Sequence, residues 1–176
     1  KQYSEDIDDF YFYGAVPIDF HKCSVSNLCK INLKNHINNG IKKIGIVFNT
    51  DNSNEPGKHW IAMYVDIVGN NLRSKSVNQP GIYYFDSFAD EKPSEINDLI
   101  NKLKNQGKSN NIEFIDTYNR RSLQNNTFSC GFYCIHFLEN MINGKPFHKY
   151  INSGVNDKKM IEYRSHCFLN PKEIKY

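Results

Sequence analysis

The stretch "QNNTFSCGFYCIHFLENM", residues 124–141, sets a polar run and a Cys-Gly pair directly before an apolar helical pattern. The apolar residues that recur at helical spacing within it are Cys134, Phe137, Leu138 and Met141. This spacing predicts a helix from about Cys130 to Met141 or Ile142, with "NGKP" as its terminator. Cys130 then stands at the helix N-terminus, where the helix dipole and unsatisfied N–H groups favour a thiolate.

This position allows two interpretations of Cys130. A cysteine on an apolar helix is usually a small buried hydrophobe, and Cys134, one turn further on and facing the core, fits that description. A thiol at a helix N-terminus can instead be a nucleophile, provided that a base lies beside it. The choice depends on which residues the rest of the chain can bring to Cys130.

The size and composition of the chain limit the classes of protein it can be. A length of 176 residues suits one core, so we expect a single domain over residues 1–176. With 39% hydrophobic residues and no long uncharged apolar run, the chain is typical of a globular monomer without a membrane span or secretory signal. The 22 basic and 19 acidic residues are interspersed, which predicts at most weak, salt-sensitive contact with nucleic acid.

The five cysteines, an odd number, fit no closed disulfide framework. We therefore expect free thiols and a reducing compartment. An alternative is a metal-stabilised binding module that uses His21, Cys23, Cys29 and His36. Their spacing matches no common zinc pattern, so no metal is predicted.

The remaining patterns predict a mixture of helices and strands. Strands are predicted at residues 41–50, 60–68, 81–88 and 111–118. A helix is expected over 26–38, with Ser26 as its N-cap and Gly40 as the stop signal beyond it. A second helix, in "KPSEINDLINKLKNQG", is expected to be capped by Ser94 and closed by Gly107.

Three chemical groups lie at ends of these predicted elements, where scaffolds commonly present reactive side chains. His59 begins a strand after a polar loop, Asp86 ends the next strand, and Cys130 opens the helix. An imidazole can take the proton of a thiol, and a carboxylate can fix the tautomer and orientation of the imidazole. The ordered set therefore predicts an activated cysteine nucleophile.

Two further residues fit the same chemistry. Gly131 places no side chain beside the thiol, so a substrate carbonyl could approach the backbone N–H of Cys130, one half of an oxyanion hole. Gln124, six positions upstream, could supply the other half with its amide. Taken singly, each residue has a structural explanation: His59 as a packed ring, Asp86 as a turn former and Gln124 as an exposed loop residue. Only the ordered set favours catalysis.

The blocks "GKHWIAMYVDI", "IYYFDSF" and "SLQNNTFSCGFYCIHFL" resemble the His-Trp, acidic and Gln-to-Cys-Gly blocks of the adenovirus maturation protease. More distantly they are similar to the SUMO-specific Ulp1-type proteases of the same superfamily. The likeness covers roughly residues 10–145, leaves 146–176 unplaced, and suits a viral member of the virophage or Polinton type. It implies an α+β, papain-like cysteine protease fold, with a small mixed sheet flanked by helices and the nucleophile at the start of a buried helix.

The resemblance also implies roles for the residues. His59 would be the general base, Asp86 its orienting acid, Cys130 the nucleophile and Gln124 an oxyanion donor, while Trp60 and Gly131 would line the cleft. The adenoviral enzyme has Glu in place of Asp86, and either carboxylate can orient an imidazole. The position matching the cysteine that the adenoviral enzyme joins to its activating peptide is Glu113, so that disulfide cannot form. We expect no cofactor, although strand addition by a peptide stays an open alternative.

These roles predict a cysteine endopeptidase. The resemblance implies protein substrates, namely viral structural precursors cleaved at glycine-containing sites during particle maturation, in the virion and the host cell interior. Two alternatives keep the same catalytic residues. One is a deconjugating isopeptidase for a ubiquitin-like modifier, and the other is an acetyltransferase on the same scaffold.

Overall fold

The computed structural model describes residues 7–69 and 79–167. A five-stranded mixed sheet runs through it in the spatial order β1-β2-β3-β4-β5. The strands are β1 Phe10–Pro17, β2 Lys43–Asn49, β3 Trp60–Asp66, β4 Gly81–Phe85 and β5 Ile115–Tyr118. The helices are a short 3₁₀ helix Asn27–Lys30, then α1 Leu33–Asn38, α2 Ser94–Lys108, α3 Cys130–Ile142, α4 Phe147–Ile151 and α5 Asp157–Cys167.

Helices cover both faces of the sheet. Alternate residues of β3 point to opposite sides, so that Ile61 and Met63 join the core under α1 and α2, whereas Ala62 and Tyr64 join the core under α3, α4 and α5. Burial on both sides explains why the central strands read as continuous apolar runs. The predicted α+β fold, a small mixed sheet flanked by helices with Cys130 at the start of a buried helix, is confirmed.

All four predicted strands are present, each shorter than the sequence suggested, and the predicted helix at Cys130 is confirmed to Ile142. β1 is not among the predicted strands. Gly14, with φ +89°, and a register shift between Phe12 and Ala15 interrupt its alternation. Its pairing to β2 is parallel, and a contact between segments so far apart along the chain has no local sequence signal.

The predicted helix over 26–38 is wrong as one element. Ser26 does cap a helix, because its side chain accepts a hydrogen bond from Leu28 N, but this 3₁₀ helix ends at Lys30. Ile31 turns extended, and Asn32 caps α1 by accepting from Asn35 N. Asparagine competes well for backbone N–H groups at helix starts, so two short helices replace a continuous one.

Both predicted boundaries of α2 are also wrong. Pro93 occupies the N-cap position without a side-chain cap bond, and Ser94 is the first helical residue. Gly107 lies inside the helix and is buried. A side chain would not fit there, because a Cβ would approach Phe114 Cδ2 to 2.7 Å and Ile112 O to 2.8 Å. This glycine therefore serves close packing instead of helix termination.

The expectation of unpaired cysteines is wrong at two positions. Cys23 and Cys29 form a disulfide with a Cα–Cα distance of 5.3 Å, while Cys130, Cys134 and Cys167 are free. That pairing removes two ligands of the alternative metal site. A third, His36, bonds instead to the Tyr13 hydroxyl at 2.8 Å. Within residues 7–69 and 79–167, no group of three or more His, Cys, Asp or Glu residues could hold a metal ion.

The segment that the sequence left unplaced, from residue 146, forms α4 and α5 as far as Cys167. Both helices pack against α3. The buried side chains of this segment are Phe147, Tyr150 and Ile151 in α4, Met160 in α5, and Val155 between the two helices. None of the helices in the described part of the chain is long and apolar enough to cross a bilayer.

Candidate active site

Cys130 is the first residue of α3 and is 6% exposed. Its helix packs across β3, which brings the thiol to the edge of the sheet where β3 begins. There the thiol hydrogen bonds to the His59 ring and to the backbone N–H groups of Trp60 and Gly131. The structure thus joins the predicted nucleophile and the predicted base.

His59 directly precedes β3, and its carbonyl accepts a hydrogen bond from Thr50 N at 2.9 Å, which extends the pairing of β2 with β3. Its Nε2 lies 2.7 Å from Asp86 Oδ1, and the ring stacks at a tilt on Phe88 with centroids 5.0 Å apart. Because Asp86 occupies Nε2, Nδ1 is the nitrogen left for the Cys130 thiol. The ring therefore bridges the carboxylate and the sulfur.

Asp86 directly follows β4 and is 2% exposed. The antiparallel register pairs Ala62 with Phe85, so the start of β3 and the end of β4 share one edge of the sheet. Asn119, just beyond β5, fixes the backbone of Asp86 from the other side. It accepts from Asp86 N at 3.1 Å and donates to Asp86 O at 2.5 Å. The carboxylate itself is oriented by two contacts of Oδ1, which accepts from Phe88 N at 2.9 Å and lies 2.7 Å from His59 Nε2.

The charges of this site favour a thiolate beside an imidazolium. Burial by itself raises the pKa of the Cys130 thiol, but the bonds from His59, Trp60 N and Gly131 N lower that pKa below its ordinary value. Burial by itself lowers the pKa of His59, yet its bonds to Asp86 and Cys130 raise that pKa to about 9. Both shifts favour a proton on the ring and a negative charge on the sulfur.

Gln124 is 2% exposed, so the alternative interpretation of this residue as an exposed loop residue is wrong. Its Oε1 accepts from Ser87 Oγ at 2.6 Å, and Ser87 O accepts from Leu123 N and Gln124 N at 2.8 and 3.1 Å. Its Nε2 donates to Asn126 O at 2.7 Å. The same nitrogen lies 3.3 Å from Asn126 Oδ1, so both of its hydrogens have an acceptor on Asn126, and this longer contact is the one that an oxyanion would replace. The oxyanion role of Gln124 stays a prediction.

Trp60 and Gly131 border an apolar cavity of about 420 Å³ beside Cys130. A Cβ built on Gly131 would meet only Trp60 Cδ1, at 3.8 Å, which is ordinary contact. Packing therefore does not require glycine at this position. The missing side chain instead keeps the space beside Cys130 open.

Three residues that hold the site were not found from the sequence. They are Ser87, Asn119 and Asn126. Ser87 stands next to Asp86 and Asn119 directly follows a predicted strand, so their positions at element ends are a usable signal. Asn126 accepts from Phe128 N and Ser129 N at 3.1 and 3.0 Å, which shapes the chain just before Cys130. Asn126 lies within a run of polar loop residues and not at the end of a predicted element, so the sequence does not single it out.

Comparison with known proteins places the chain among viral and Ulp1-type proteases. A relative in Acanthamoeba polyphaga mimivirus, which carries a thiol-protease name, is 32% identical over 170 residues, or 96% of this chain and 53% of that protein. A cysteine protease of African swine fever virus is 27% identical over 126 residues, or 70% of this chain and 43% of that one. The chain thus spans about half the length of these relatives.

Comparison of three-dimensional structures finds the same viral protease. A crystal structure of the African swine fever virus protease superposes with a TM-score of 0.74 at 20% identity, covering 92% of this chain and 60% of that one. The model of the Ulp1 protease family, C-terminal catalytic domain, matches residues 25–175. Since that match includes every residue of the candidate site, and the mimivirus likeness spans nearly the whole chain, the chain belongs to the Ulp1 protease family of cysteine peptidases.

Proposed function

We propose that this chain is a cysteine endopeptidase in which Cys130 is the nucleophile, His59 the general base and acid, and Asp86 the residue that orients His59. The observation that carries the proposal is the His59 ring, bound to Asp86 at 2.7 Å on one nitrogen and hydrogen bonded to the Cys130 thiol. Cysteine, imidazole and carboxylate in that order are the parts of an activated thiol nucleophile.

The reaction begins from the ion pair. The Cys130 thiolate attacks the scissile carbonyl carbon, and the carbonyl electrons move onto oxygen. The N–H of Cys130 donates to that oxygen, since the first residues of a helix have no intrahelical acceptor, and the Gln124 amide is the second donor. His59 then gives its proton to the leaving amine as the C–N bond breaks, which leaves a thioester on Cys130.

Hydrolysis of the thioester completes the cycle. His59, now neutral, takes a proton from water, and the resulting hydroxide attacks the thioester carbonyl. The C–S bond breaks and the sulfur leaves as thiolate, while the proton stays on His59. The carboxylic acid product departs and the ion pair of Cys130 and His59 is restored.

The substrates we propose are viral structural precursors, cut at glycine-containing sites. Two features of the site support this proposal. Because Cys130 is only 6% exposed, a scissile bond reaches its sulfur most easily when the residue beside that bond has a small side chain, such as glycine. The named relatives come from two viruses, which supports a role in particle maturation within the virion and the infected cell.

A deconjugating isopeptidase is the second candidate. African swine fever virus relatives at 26% identity carry the name SUMO-1 cysteine protease, and the catalytic chemistry would be unchanged. The two functions differ in what binds beyond the scissile bond. An isopeptidase needs a folded modifier, whereas an endopeptidase needs only an extended segment.

A substrate comparison separates the two candidates. We expect capsid-type precursor peptides with a glycine pair before the cut to be cleaved, and a SUMO or ubiquitin C-terminal reporter to be cleaved at least about tenfold more slowly in kcat/KM. Product masses identify the bond that is cut, and Cys130→Ala is expected to abolish turnover. Preferential cleavage of the modifier reporter would replace the endopeptidase proposal with the isopeptidase.

The pKa shifts predict how the thiol reacts with iodoacetamide as pH varies. Cys130 is expected to react well below the ordinary thiol pKa of about 8.5, because His59 lowers its pKa. In His59→Ala the midpoint should rise to that value or above it, since burial remains and the partner is gone. Cys167, an exposed thiol whose pKa is raised, is the internal control. Labelling of Cys130 no faster than Cys167 at neutral pH would contradict the activated thiolate.

The oxyanion role predicts a selective loss in Gln124→Ala. Loss of one oxyanion donor costs about 3 kcal/mol, so kcat should fall on the order of a hundredfold or more while KM changes little. Thermal melting should stay well above the assay temperature. Asn125→Ala, an exposed neighbour in the same loop, is the matched control and should keep normal turnover. Equal turnover in Gln124→Ala and Asn125→Ala would exclude the role.

A further inference from the structure

A carboxylate from the C-terminal segment holds the loop that carries Gln124. Asp157 Oδ2 accepts hydrogen bonds from Asn125 N at 3.0 Å and from Asn126 N at 2.9 Å. These two residues directly follow Gln124, and a carboxylate that accepts two backbone N–H groups is a strong, charge-assisted anchor. The backbone of the loop is therefore fixed at the point where it presents the Gln124 amide.

The same carboxylate also connects to the nucleophile helix. The Tyr133 hydroxyl lies 3.0 Å from Asp157 Oδ1 and 2.7 Å from Leu123 O. Tyr133 is fully buried and stands three positions after Cys130 in α3. A hydroxyl has one hydrogen, so Tyr133 donates to one of these two oxygens at a time. Asp157 contacts the residues after Gln124, and Tyr133 contacts both Asp157 and the residue before Gln124, so the loop and the helix that carries Cys130 meet at this carboxylate.

The helix that contains Asp157 does not need this side chain as its cap. Asn156 caps α5, because its Oδ1 accepts from Lys159 N and its backbone carbonyl accepts from Met160 N, both at 3.1 Å. An acidic residue in the first helical turn gains only a modest interaction with the helix dipole. Both oxygens of Asp157 instead bind groups outside α5.

We propose that Asp157 is a positioning residue for the reaction, which acts by holding the Gln124 amide where the oxyanion forms. This inference rests on the oxyanion role proposed for Gln124. A displacement of a positioned group by about 1 Å can cost on the order of a hundredfold in rate, so an anchor two residues from the donor is well placed to control turnover. The inference also gives the C-terminal segment a function, because Asp157 lies 31 and 32 positions after the two loop residues that it holds.

A double-mutant cycle on kcat tests the inference. Asp157→Ala should lower kcat about tenfold to a hundredfold in the wild-type background, with little change in KM. In the Gln124→Ala background the same change should cost less than about twofold, because the group it positions is already gone. Lys158→Ala, an exposed neighbour in α5, is the matched control and should leave kcat unchanged.

Asp157→Asn should recover most of the loss. One amide oxygen can accept both N–H groups, and the amide nitrogen can donate to the Tyr133 hydroxyl while that hydroxyl donates to Leu123 O. A role through negative charge alone would not allow this rescue. Iodoacetamide labelling of Cys130 should be equally fast in the wild type, Asp157→Ala and Asp157→Asn, because alkylation does not use the oxyanion hole.

Amide hydrogen exchange provides a readout that does not depend on any substrate. Asn125 N and Asn126 N should exchange faster in Asp157→Ala than in the wild type, while amides in the body of α3 stay protected. Unchanged exchange at both positions would show that no anchor exists and would overturn the inference.

The remaining outcomes separate this inference from the function on which it rests. An equal loss of kcat in both backgrounds would make Asp157 merely structural, with the role of Gln124 intact. A parallel loss of Cys130 labelling would assign Asp157 to the fold of the nucleophile helix and would also overturn the inference. Normal turnover of Gln124→Ala would exclude the oxyanion role and the inference with it, while faster exchange in Asp157→Ala would still report the anchor.

Discussion

The whole site depends on one imidazole ring held between a buried carboxylate and a buried thiol. Asp86 and Cys130 are 2% and 6% exposed, so a negative charge on either side chain would cost much free energy without a partner. A protonated His59 partners both, and its pKa is raised to about 9 for that reason. Burial, which opposes each charge singly, strengthens the attraction among the three together.

The sheet brings these groups together through its strand order. β3 begins where β4 and β5 end, so the residues that flank these strands, His59, Asp86 and Asn119, share one edge. α3 lies across β3 and starts at the same edge with Cys130. Hydrogen bonds among polar side chains just beyond the strands then hold these residues in place. Strand register thus sets which residues meet, and the hydrogen bonds of the flanking loops set their orientation.

Features that depend on a short stretch of sequence could be predicted. The α3 periodicity, the polar loop before His59 and the strand before Asp86 each produce a short-range pattern, so a mixture of helices and strands and the meeting of the three residues could be predicted. The papain-like fold was implied by the resemblance to known proteases and not by these patterns. Contacts between distant segments produce no such pattern. The parallel pairing of β1 and the anchor at Asp157 therefore became visible only in three dimensions. The Cys23–Cys29 disulfide spans only six positions, but cysteine spacing alone does not distinguish a bonded pair from two free thiols.

The protonation state of His59 at neutral pH tests the central claim most directly. Heteronuclear NMR of the ring nitrogens should find an imidazolium at neutral pH, with a midpoint near the pKa of about 9 and a lower midpoint in Cys130→Ala, where the thiolate is missing. A neutral ring in the wild-type protein at neutral pH, with the same midpoint in Cys130→Ala, would contradict the ion pair and the mechanism that begins from it.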